Sequence, residues 1–93
     1  MIFFLNFINL HDNCNISQGV TIGVSGLGEK RGVPIIGNNV YIAANAVCAG
    51  KIVIEDNVLI GACSLVNKDV AKNSTVVGVP AIVVSDKGSK GYI

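Results

Sequence analysis

The sequence predicts an all-β chain wound into a triangular prism, and three observations carry the prediction. Bulky apolar residues recur every six positions, a small or apolar residue stands four positions after nearly every one, and Asn, Asp, Gly and Ala fill the places between. Short extended stretches with a tight corner every six residues and two inward positions per unit close a coil in three units. Each flat face is then a parallel sheet, and Ile and Val stack on their equivalents one coil away, about 4.8 Å along the axis. A β-sandwich would alternate in twos between unrelated turns and would not hold this register. A helical bundle fails because β-branched residues crowd every segment and no 3.6-residue pattern persists.

The composition agrees. With 93 residues the chain is one domain, and at 51% hydrophobic and 14% charged it is too apolar to be disordered. A freestanding domain of this size buries roughly 60 to 65% of its potential surface, so a large apolar fraction without disulfides predicts cover from another subunit. A net charge of +1, with no basic run longer than Lys30-Arg31, predicts neither a nucleic-acid nor an acidic-membrane partner. The three cysteines form no CxxC pair, which fits reduced cytoplasmic thiols better than a disulfide framework or a zinc cluster.

Taken in chain order, residues 1–10 are apolar but lack the basic start and cleavage site of a leader and the length of a membrane span, so they read as structure. Phe4, Leu10, Ile16 and Ile22 set the register, with Cys14 and Val20 among the second inward positions. The ten residues 24–33 add eight to one unit and are expected to protrude as a loop. The register resumes at Ile36, Ile42, Cys48, Ile54, Ile60 and Val66, with Val40, Ala46, Ile52, Val58, Ser64 and Val70 as second inward positions. Corners fall at Asp12-Asn13, Asn38-Asn39 and Asp56-Asn57, where Asn tolerates left-handed backbone angles. An 18-residue coil stacks Ile36, Ile54 and the place of Lys72, where a charged residue ends the repeat. Residues 75–84 are then expected as one final strand and 85–93 as a polar tail of low order, which makes 1–84 the coil domain. The apolar start, with Ile2, Phe3, Leu5, Phe7 and Ile8, predicts a coil end covered by further chain or by another molecule.

The segment Asn15-Ile16-Ser17-Gln18-Gly19-Val20-Thr21-Ile22-Gly23, the segment Ile36-Gly37-Asn38-Asn39-Val40-Tyr41-Ile42 and the terminal Val76-Val77-Gly78-Val79-Pro80-Ala81 resemble the C-terminal half of bacterial serine O-acetyltransferases and the related capsular polysaccharide acetyltransferases. The resemblance spans roughly residues 10–84 and includes the inserted loop. It implies a left-handed parallel β-helix of hexapeptide repeats, about four coils with one protruding loop at residues 24–33. The hand comes from the resemblance alone, since the usual crossover rule points the other way. It further implies a cytoplasmic homotrimer that transfers acetyl from acetyl-CoA to a hydroxyl of serine or a sugar, with the cofactor in the seam between subunits.

Carried over residue by residue, the cofactor positions resemble Gly23, Ala44, Gly61 and Ala62, with the loop reaching over the groove. Small residues there let an extended cofactor approach the backbone, and each of them is equally a coil corner. Lys30 and Arg31 in the loop and Lys68 near the last coil are candidate phosphate partners, with a solvated turn as the plainer reading. Relatives of this type commonly carry Lys or Arg after the GVPA stretch, where this chain has Ile82.

Acyl transfer to a hydroxyl needs a general base, for which His is suited near neutrality. The family pattern places its principal catalytic His one coil before the position of Ile16, ahead of Met1, and its second before Pro34, where Val33 stands. The corner residue His11 is the remaining candidate, and an exposed corner is its plainer reading. Asp12, its neighbour in an extended segment, points the other way. No metal is expected, because a scaffold site built from three His ligands cannot come from one His per chain without a symmetry axis. The chain therefore reads as the rear portion of an acetyltransferase, without turnover of its own if the base lies upstream. A non-catalytic β-helix assembly or weak CoA-binding protein stands as the alternative, so whether the polypeptide is an enzyme is open at this point.

Overall fold

The computed structural model describes residues 2–3, 9–10, 13–23, 32 and 34–92, the first two pairs by their backbone pairing alone. Their strands are β1 (Ile2–Phe3), β2 (Asn9–Leu10), β3 (Asn15–Ile16), β4 (Thr21–Gly23), β5 (Ile35–Ile36), β6 (Tyr41–Ile42), β7 (Val47–Ala49), β8 (Val53–Ile54), β9 (Leu59–Ile60), β10 (Leu65–Val66), β11 (Thr75–Gly78) and β12 (Ala81–Ser85). Strands one coil apart share a sheet: β1-β4-β7-β10 form sheet A, β2-β5-β8 sheet B, and β3-β6-β9-β11 with β12 sheet C. All pairings but the last, β11 with β12, are parallel. This is the left-handed parallel β-helix.

The six-residue register is the physical reason for it. Ile36 pairs with Ile54, Ile42 with Ile60 and Cys48 with Val66, one coil apart. Ile22, Ile36, Ile42, Cys48, Ile54 and Ile60 are wholly buried, as are the second inward residues Val20, Val40, Ala46 and Val58. The core is thus an apolar shaft, and Cys14 and Ile16 pack against it one coil before Val40 and Ile42.

The corners are left-handed where Asn stands. Asn13, Asn39, Asn57 and Asn73, at the corner between sheets B and C, have φ of 60°, 58°, 61° and 63°. Their carboxamides form a ladder along the axis: Asn13 Nδ2 donates to Asn39 Oδ1 (2.8 Å), Asn39 to Asn57 (3.1 Å) and Asn57 to Asn73 (3.1 Å). At the corner between sheets C and A the left-handed residues are Gly19, Asn45 and Cys63.

Four expectations are corrected. In the opening strand it is Phe3 that pairs with Ile22, while Phe4 lies outside the described residues. The repeat does not end at Lys72. A unit shortened by two residues puts Val70 beside Ile54, so the last coil turns in 16 residues, as the pairing of Ile60 with Val76 repeats. Val70 is buried and Lys72 exposed, which spares the shaft a buried ammonium. The expected final strand is two, β11 and β12, turning back through a cis Val79-Pro80 bond. Finally, the tail is not loose throughout: Gly88 and Ser89 are buried against the asparagine corner.

Candidate functional site

The expected cofactor residues fall at the two edges of sheet A. Ala44, Gly61 and Ala62 gather at the corner between sheets C and A, with Ala44 one coil from Ala62 by the register of Ile42 with Ile60. Gly23 lies at the opposite edge, paired with Ala49, and its carbonyl accepts from Gly50 N (3.1 Å). Lys68 is exposed beyond β10 on that same edge, ahead of Asp69, whose Oδ1 accepts from Val53 N (2.8 Å). Lys30, Arg31 and His11 lie outside the described residues.

The corner at Ala62 has open backbone. One coil back, Ala44 O is taken by Cys63 N (3.0 Å), and Gly61 N is spent on Val76 O (2.9 Å). A further coil would cover Ala62 in the same way, but the chain leaves the helical path at Gly78, whose N–H donates instead to Ser64 Oγ (3.0 Å). Among the described residues no hydrogen bond uses the backbone of Ala62, and the residue is exposed. An extended amide-bearing ligand can bond there as an added strand does. The side chains at 44 and 62 are small, and Gly61 is packed under the hairpin: a Cβ there would come within 2.5 Å of Val77 Cγ1, so a larger residue requires the Val77 side chain to move.

A groove lies elsewhere, away from this corner. It measures about 970 Å³ and runs along the asparagine ladder, bordered by Asp86, Lys87, Ser89 and Lys90. A smaller one of about 280 Å³ lies on sheet B at Ile35, Val53, Glu55, Asp56 and Lys72. Neither contains a cofactor residue expected from the sequence. The corner at Ala62 is an exposed turn rather than a cavity.

The cysteines divide by environment. Cys48 is wholly buried in the shaft, and burial raises its thiol from 9.0 to about 12, which removes it as a nucleophile. Cys14 Sγ donates to Gly37 O (3.1 Å), and Cys63 is exposed on the corner beside Ala62. Sequence reasoning missed the Ser64–Gly78 bond and the open Ala62 backbone, because both depend on where the chain departs from its repeat. The one available signal was the shortened spacing after Val66.

The family signature described as bacterial transferase hexapeptide (six repeats) matches residues 34–68. A serine acetyltransferase of Staphylococcus epidermidis is 46% identical over 79 residues, covering 85% of this chain and 37% of its own length. The chain belongs to the hexapeptide-repeat acyltransferase family. Among solved structures, a maltose O-acetyltransferase of Clostridium difficile superposes with a TM-score of 0.74 at 31% identity, over 83% of this chain and 46% of that one. A serine acetyltransferase in complex with CoA superposes with a TM-score of 0.67 at 35% identity, over 76% of this chain and 28% of that one. This hexapeptide-repeat chain thus spans little more than a third of the curated relative it matches. Among the described residues no helix is long and apolar enough to cross a membrane.

Proposed function

We propose that this chain forms the acetyl-CoA-binding coils of an O-acetyltransferase that acylates a hydroxyl of serine or a sugar. The observation that carries the reading is the corner at Ala44, Gly61 and Ala62, where small side chains meet a backbone left open by the turn at Gly78. The likeness of these coils to a serine acetyltransferase in complex with CoA supports it. The pantetheine amides of CoA are extended donors and acceptors that suit the free N–H and C=O of Ala62. Gly23 and Lys68, on the other edge of sheet A, serve the seam from the neighbouring copy of a cytoplasmic homotrimer, with Lys30, Arg31 and Lys68 offered to the nucleotide phosphates.

The chemistry required is one acyl transfer. The acceptor hydroxyl oxygen attacks the thioester carbonyl, a base removes its proton, the C–S bond breaks and CoA leaves as thiolate. The chain's own part, in this reading, is to hold the thioester arm extended and to exclude water along the seam. His11 is the base candidate within this sequence. The test is to incubate the purified chain with acetyl-CoA and either serine or maltose while following thiol release. Release dependent on acceptor and lost in His11→Ala supports a self-sufficient enzyme, whereas CoA binding without release assigns the chain the binding role alone. Absence of both contradicts the proposal.

A further inference from the structure

Residues 86–92 leave β12 and cross the asparagine corner outside the shaft. Ser85 Oγ accepts from Lys87 N (3.1 Å) and turns the chain. Gly88 then lies in left-handed conformation, φ +58°, where a Cβ would stand 2.0 Å from Asn57 O and 3.1 Å from the backbone of Asn73. Ser89 grips two coils at once: its N–H donates to Asn57 O (3.1 Å) and its hydroxyl to Asn39 O. Tyr92 N returns to Ser89 O (2.9 Å), which sets the Tyr92 ring 5.8 Å from Tyr41, tilted by 54°. Only Gly88 and Ser89 of this segment are buried, and Asp86, Lys87, Lys90 and Gly91 are exposed.

We infer that residues 86–92 are a latch that fastens the C-terminal hairpin to two earlier coils across the asparagine ladder, and that it opens as a unit while the coils stay closed. The coils do not need it. Tyr41 N, Leu59 N and Gly61 N are bonded to Val58 O, Ser74 O and Val76 O within the helix. The latch depends on a few bonds at two anchor residues and one ring contact, with little apolar burial, which is the profile of a segment that opens locally at low free energy. Opening frees the carbonyls of Asn39 and Asn57, uncovers Tyr41 and widens the groove along the ladder.

Tyr41 and Tyr92 are the only tyrosines, and Trp is absent, so near-ultraviolet circular dichroism reads this contact directly. Gly88→Ala is expected to abolish most of the tyrosine signal and to speed amide exchange at Ser89 and Tyr92 by about tenfold or more, with Leu59 and Gly61 changed by less than about threefold. Lys90→Ala, on the exposed side, is expected to change neither. A Gly88→Ala protein that keeps the tyrosine signal and the protection at Ser89 overturns the inference. Should that variant fail to fold, exchange in the unaltered chain across a denaturant series decides. Ser89 and Tyr92 amides exchanging through an opening that denaturant barely promotes supports the latch, and exchange in step with Leu59 and Gly61 refutes it.

Discussion

Asn57 concentrates the residue-scale physics of this molecule, since it combines a left-handed backbone, two ladder bonds and a carbonyl gripped by Ser89. Asn57→Ala is expected to cost about 2 kcal/mol by adding left-handed strain to the lost carboxamide bonds. Asn57→Gly, which keeps the φ without strain, is expected to cost about half as much. Urea midpoints at constant m-value compare the two. Cys48 provides a second test. Its folded thiol is raised to about 12 from 9.0, so the unfolded chain loses its proton first and draws the equilibrium toward itself as pH rises above 9. The thiol's contribution is therefore intact below pH 9 and falls by about 1.4 kcal/mol per pH unit toward 12. Cys48→Val, measured by denaturation at pH 8 and 10.5, should remove that slope. The left-handed Asn corners were legible in the sequence because few other residues tolerate such angles. The Ser89 grip was not, because nothing local in a Gly-Ser pair says which corner it meets.

At the scale of the strand, the shortened unit after Val66 is the feature that sequence periodicity misread. Counting six from Val66 lands on Lys72, but a charged side chain cannot enter a shaft of Ile and Val unpaired, and the chain drops two residues to bring Val70 inward. Val70→Ala is accordingly expected to cost about 2 kcal/mol and Lys72→Ala less than about 0.5 kcal/mol in chemical denaturation. The reverse order would mean that the 18-residue coil continues. Ser64 marks the next departure: its buried hydroxyl holds Gly78 N, so Ser64→Ala removes a bond at the hairpin's root. The same departure opens the Ala62 backbone, and so the candidate site and the irregular end of the repeat have one cause.

For the molecule as a whole, the prism, its four coils and its apolar shaft follow from spacing alone, because a side chain six residues on faces the same axis. The candidate site was legible only as a set of small residues. Ala44, Gly61 and Ala62 lie at one corner, whereas Gly23 and Lys68 lie across sheet A, so the proposed function requires a second copy to bring the two sets together. Light scattering is expected to report a trimer at micromolar concentration. Ala62→Leu, which crowds an exposed corner and no core contact, is expected to weaken CoA binding by about tenfold or more while leaving the far-ultraviolet spectrum unchanged. The decisive measurement is a CoA titration followed by amide chemical shifts. Ala44, Gly61, Ala62 and Cys63 are expected to shift first and furthest. Shifts centred instead on Asn39, Asn57 and Ser89, or none at millimolar CoA, would contradict the proposed site.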